Sequence, residues 1–127
     1  MENKEITEQE MKKYLLFFIN TYGTKLQQDI SIEEMAELQK AILKHRRNPT
    51  EETRKDIIDE IADVQIMLEQ LKIIFYCDKE VKERIKYKLE RQKERILIEK
   101  NVRKEINFDN YECDGQMQIS DFPEVMP

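Results

Sequence analysis

Between Thr50 and Asp78 the apolar residues Ile57, Ile61, Val64, Leu68, Leu71 and Phe75 recur at alternating spacings of four and three. A strand turns successive side chains to opposite faces, so this pattern fits a helix with one apolar seam and excludes a half-buried strand. Such a seam suits near-antiparallel packing against other helices. Little interrupts it elsewhere: the 127 residues include only 2 glycines and 3 prolines, which favours long helices over a turn-rich β fold.

The same periodicity predicts three further helices. Thr7 followed by Glu10 has the form of a capping box, and Met11, Tyr14, Leu15 and Phe18 then share one face of a first helix that ends near Tyr22 and Gly23. A second runs from about Thr24 to His45, with Ile30, Met35, Leu38 and Ile42 as its apolar face and Asn48 and Pro49 as its terminator. Thr50, Glu51, Glu52 and Thr53 start the third helix. Asp78 is expected to cap a fourth, whose buried stripe of Val81, Ile85, Leu89 and Ile96 reaches to about Lys104.

From Glu105 the helical spacing is lost, and acids alternate with Phe108, Tyr111, Ile119 and Phe122. The expected organisation is an all-α domain over residues 1–104, a helical bundle of about four helices per protomer, followed by an acidic irregular tail over 105–127. With 39% of residues hydrophobic and 39% charged, the core is modest, so completion of the bundle by a homodimer or homotetramer is expected.

The net charge of −5 is concentrated at the C-terminal end. Glu105, Asp109, Glu112, Asp114, Asp121 and Glu124 lie beyond the last base, Lys104, and setting them aside leaves 21 acids against 22 bases. The first 104 residues are therefore nearly neutral, and the global acidity does not exclude a phosphate-bearing ligand. The bases of the fourth helix are interspersed with Glu80, Glu83, Glu90, Glu94 and Glu99, so no nucleic-acid partner is expected. No run approaches the roughly 20 apolar residues of a membrane span, and no signal-peptide pattern opens the chain, so a cytoplasmic protein without membrane partners is expected. Cys77 and Cys113 lack CxxC spacing and read as free thiols. His45, the sole histidine, argues against a His-based metal site or a triad and is expected to be a solvated residue near a helix end.

The acids of the second and third helices carry the chemistry. Glu34 and Glu37 stand three residues apart, as do Glu60 and Asp63, so each pair lies on one side of its helix. With 27 acids in the chain, such pairs also arise by chance, and solvated helix faces are the alternative reading of the same spacing. Context separates these two pairs: they are interleaved with Met35, Ala36 and Leu38, and with Ile61, Ala62 and Val64. Small Ala36 and Ala62 are expected to let the helices approach closely. Four converging carboxylates repel one another without a hard divalent cation such as Mg²⁺, which prefers oxygen ligands.

The segments EEMAELQKAI, Glu33 to Ile42, and EIADVQIML, Glu60 to Leu68, together resemble the ExxE and ExxD signature of the all-α nucleoside triphosphate pyrophosphohydrolases, the MazG-like proteins in particular. KLERQKER, Lys88 to Arg95, resembles the family's downstream stretch of Lys, Asn and Arg, with Gln92 in place of Asn. The resemblance covers roughly residues 24–98. It implies an enzyme that converts an NTP or dNTP to the monophosphate and pyrophosphate, with Mg²⁺ as cofactor and Mn²⁺ as a substitute. It implies Glu34, Glu37, Glu60 and Asp63 as metal ligands, and Glu33, Glu37 and Glu60 as the catalytic acids, with Glu33 as outer ligand or general base. Lys88, Arg91, Gln92 and Arg95 would bind substrate. Tyr14, Phe17, Phe18 and Tyr22 read first as packing for the first helix and second as a base-stacking surface. A non-catalytic oligomerisation or partner-binding module that uses the tail is the alternative.

Overall fold

The computed structural model describes residues 3–100. They form four helices and no strand: α1, Glu8–Tyr22; α2, Thr24–Arg47; α3, Glu51–Ile74; and α4, Asp78–Lys100. The architecture is the expected all-α helical bundle. The chain divides into two compact units, Met1–Lys82 and Glu83–Pro127. The predicted end of the fourth helix at Lys104, the tail and Cys113 lie outside the described residues.

Local chemistry sets the helix ends. The Glu10 backbone N–H donates to Thr7 Oγ1 at 3.1 Å, and the Thr7 N–H donates back to Glu10 Oε2 at 3.2 Å, the reciprocal box that satisfies two otherwise unpaired donors. Gly23 alone joins α1 to α2, with φ +90°, a conformation in which any other residue would be strained. Thr50 and Thr53 cap α3 reciprocally: the Thr53 N–H donates to Thr50 Oγ1 at 3.1 Å, and the Thr50 N–H to Thr53 Oγ1 at 3.0 Å. Helix α2 ends at Arg47, two residues beyond the expected His45. Asp78 is the first residue of α4 and not its cap; its carboxylate instead pairs with Lys72 at 3.4 Å and Lys82 at 3.2 Å.

In the first unit α2 and α3 make the most extensive contact, and α1 lies against both. Two hydrogen bonds define α2 and α3 as antiparallel: Gln27 Nε2 donates to Gln70 Oε1 at 2.6 Å, and His45 Nδ1 lies 2.7 Å from Thr53 Oγ1. Between these pins the residues turned inward are Gln27, Ser31, Glu34, Leu38, Ala41 and His45 on α2. Facing them on α3 are Thr53, Ile57, Glu60, Val64, Met67 and Leu71, each of the twelve buried or half-buried. Both rows step by four and three, the spacing of an antiparallel coiled-coil seam.

The seam shares Ile57, Val64 and Leu71 with the predicted apolar stripe, but Glu60 and Met67 replace Ile61 and Leu68, which are exposed along with Phe75. The row turned inward, which the polar pins at both ends accompany, lies about one residue from the most apolar row of α3. On α2, Ile42 is exposed and Ile30, Met35 and Leu38 are half-buried. The buried core of the unit is small: Leu15 and Ile19 from α1, Ala41, and Met67. Phe18 is half-buried, whereas Met11, Tyr14, Phe17 and Tyr22 are exposed, so packing against the bundle accounts for only one of the four aromatics. His45 is half-buried and bonded to Thr53, not a solvated residue.

In the second unit, Ile85, Leu89 and Ile96 are exposed, which overturns the expected buried stripe; only Val81, in the first unit, is half-buried. Helix α4 is highly charged and has too few apolar positions to cover such a stripe by itself. Cys77, in the turn before α4, is a half-buried free thiol.

Candidate metal centre

The antiparallel register dictates which acids meet. Seven residues inward from Gln27 stands Glu34, and seven inward from Gln70 stands Asp63, so the Gln27–Gln70 bond brings these two to one level of the seam. From the other end, His45 and Thr53 lead inward to Glu37 and Glu60, about two helical turns away. One carboxylate oxygen from each of Glu34, Glu60 and Asp63 lies within 4.8 Å of the others, a spacing that fits three oxygens around one small divalent cation.

Among the three, Glu60 has an oxygen without a hydrogen-bond partner: its Oε2 is shielded from solvent and unpaired among the described residues. Removal from water, followed by the charges of Asp63, Glu34, Glu37 and Asp59, pushes its carboxyl above the ordinary glutamate range. None of the salt bridges among the described residues involves Glu34, Glu37, Glu60 or Asp63. A buried oxygen without a donor, among acids that no salt bridge among the described residues neutralises, has the donor chemistry of a hard-cation site.

The predicted ligands divide accordingly. Glu34, Glu60 and Asp63 come together; Glu37 stands beside them and acts on Glu60 through its charge. Glu33 is exposed on α2 and is not part of the triple. Ala36 and Ala62 are also exposed, so they do not set the helix approach; the small residues in the seam are Ser31 and, one turn beyond Glu37, the buried Ala41. That single methyl leaves room for a cleft of about 230 Å³ lined by Glu37, Lys40, Ala41, Lys44, Asp56, Asp59 and Glu60. Sequence reasoning passed over Lys40, Lys44, Asp56 and Asp59 because their spacing resembles that of any charged helix face.

The predicted substrate-binding residues lie on α4, in the second unit. Lys88, Gln92 and Arg95 are exposed, and Arg91 is half-buried with its Nε shielded and unpartnered among the described residues. The Tyr87 ring is flanked by two guanidinium groups, Arg84 at 4.7 Å and Arg91 at 5.5 Å.

No family model, no curated protein and no solved structure matches the chain. No helix among the described residues is long and apolar enough to cross a membrane.

Proposed function

We propose that this chain is a Mg²⁺-dependent nucleoside triphosphate pyrophosphohydrolase that converts an NTP or dNTP to its monophosphate and pyrophosphate, acting in the cytoplasm on the nucleotide pool. The observation that carries this reading is the convergence of carboxylate oxygens from Glu34, Glu60 and Asp63, one of which, Glu60, has its Oε2 shielded and unpartnered among the described residues. The two-part acid signature and the Lys88–Arg95 stretch, which resemble the MazG-like proteins, supply the reaction class.

Glu34, Glu60 and Asp63 would hold the cation, with Glu37 completing the set from the adjoining turn. Mn²⁺, with similar oxygen preference, is the expected substitute. A magnesium ion held by these carboxylates would supply Lewis-acid charge for phosphoryl transfer. Glu33 would accept the proton of the attacking water as its oxygen bonds to the α-phosphorus and the bond to the leaving pyrophosphate breaks. By the resemblance alone, Lys88, Arg91 and Arg95 would neutralise phosphate charge, and Gln92 would hydrogen-bond the phosphate, sugar or base.

The exposed apolar residues of α1 and α4 favour a homodimer or homotetramer as the working form, and they are also what a non-catalytic oligomerisation module would need. A pyrophosphate-release screen against the common NTPs and dNTPs with Mg²⁺, run beside Glu60→Ala, separates the two. Metal-dependent release that falls at least a hundredfold in the variant, at unchanged helicity by circular dichroism, is expected. Turnover that survives in the variant would remove Glu60 from the mechanism, and no release from any nucleotide favours the module.

A further inference from the structure

Helix α4 separates its charges by side. At about 100° per residue, Ile85, Leu89, Gln92 and Ile96 fall on one face, and all four are exposed. Lys86 and Lys93 border that face on one flank, and Lys88 and Arg95 border it on the other. Glu83, Glu90 and Glu94 lie on the far side of the helix, and Glu99 shares the apolar face at its C-terminal end. The result is an apolar strip between two basic rows.

The rows restrict what can cover the strip. A second copy of α4 is a poor match, because in either direction of pairing Lys and Arg would oppose Lys and Arg, which is destabilising. The complement is a segment with apolar side chains set among acids and without bases. Residues 105–127 have this composition: the six acids from Glu105 to Glu124, no Lys or Arg, and Ile106, Phe108, Tyr111, Ile119 and Phe122 spread among them. The strip and this segment belong to the same compact unit, Glu83–Pro127.

The segment is also long enough. From Ile85 to Ile96 the strip runs about 16 Å at a rise of about 1.5 Å per residue, a distance that about five extended residues span. Residues 101–104 separate the end of α4 from Glu105, and about two to five residues are enough to reverse a chain between antiparallel neighbours.

We propose that residues 105–127 dock on the strip of Ile85, Leu89 and Ile96 in the same chain, with their acids against the flanking basic rows and their apolar side chains over Leu89. Exposed charges are screened beyond about 8 Å at physiological salt, so the charges orient the segment and apolar burial holds it. The docking is independent of the metal centre, and it leaves self-association to the aromatic face of α1.

Carbodiimide joins a carboxylate to an amine only where the two meet, so the test is zero-length cross-linking of the full chain. Equal amounts of ¹⁵N-labelled and unlabelled protein are mixed, and the linked peptides are read by mass spectrometry. Links from the acids of 105–127 to Lys86, Lys88 and Lys93 are expected in peptides of uniform isotope. Their yield should fall about tenfold in Leu89→Ser and in the pair Phe108→Ser with Phe122→Ser. It should stay unchanged in Ile32→Ser, which removes a similarly exposed side chain from α2. A full yield in Leu89→Ser would reduce the contact to tethered charge and overturn the docking. An absence of links, or links spread equally over Lys12, Lys13 and Lys25, would do the same. Links in mixed-isotope peptides alone would assign the segment to a second copy and overturn docking within the chain.

Discussion

Glu60 occupies a seam position that an apolar residue would fill more favourably, with neighbouring acids and without a basic partner. Its raised proton affinity has a definite consequence for stability. A carboxyl with a folded value above its unfolded value, about 4.3 for glutamate, binds more protons in the folded state, so stability falls as pH rises through the folded value. Without metal, the protein is therefore expected to gain stability as pH drops from neutral toward about 4.3, as far as this group is concerned. Glu60→Gln should flatten that dependence and stabilise the metal-free protein at neutral pH. Thermal melts across pH in chelator check this, and a wild-type melting point independent of pH in that window, matching the variant's, would contradict it. With Mg²⁺ the order should reverse: a ligand at a hundred times its Kd stabilises by about 2.7 kcal/mol, which Glu60→Gln largely forfeits.

At the scale of elements, α2 and α3 are aligned by polar pairs more than by apolar burial. Gln70 is 1% exposed and Gln27 4%, and their side-chain bond is the deepest contact of the seam. The bond determines register, since a slip of one turn would separate Glu34 from Asp63. Gln70→Ala leaves the Gln27 amide buried without its partner, an expected loss of about 1–3 kcal/mol, measurable by urea unfolding. Replacing both glutamines by leucine should recover most of that stability. The double variant should nevertheless bind Mn²⁺ more weakly, because an all-apolar seam specifies register less sharply. Tight metal binding in the dileucine protein would show that the helix ends and the short Asn48–Thr50 connection suffice for alignment.

For the molecule as a whole, the exposed apolar surface is the dominant fact. Phe17, Ile32 and Leu89 are each about two-thirds exposed, at 65%, 66% and 67%, and Tyr14, Phe17 and Phe18 form a cluster with ring centroids 6.3 and 6.1 Å apart. Monomers rarely leave large contiguous apolar patches open to water. Sedimentation velocity is expected to show a dimer or tetramer, and Phe17→Asp should shift it toward the protomer. A wild-type protomer that persists at high micromolar concentration would rule out self-association as the cover for these residues.

The four helices, the caps of α1 and α3 and the two acid pairs were legible in the sequence because each is a local property. Three-and-four spacing makes a helix, a threonine three residues before a Glu or Thr makes a cap, and acids three apart share a side whatever the helix packs against. Which stripe turns inward was not legible. On α3 the row through Ile61 and Leu68 and the row through Glu60 and Met67 differ by one residue, and contacts between residues far apart along the chain, the Gln27–Gln70 and His45–Thr53 bonds among them, go with the second. That choice buries Glu60, brings it to Glu34 and Asp63, leaves Ala36 and Ala62 outside, and opens the Lys40–Lys44 cleft over Ala41. Periodicity along one helix carries no information about its rotation against another; that rotation is set by pairwise contacts across the seam, which exist only in the folded chain.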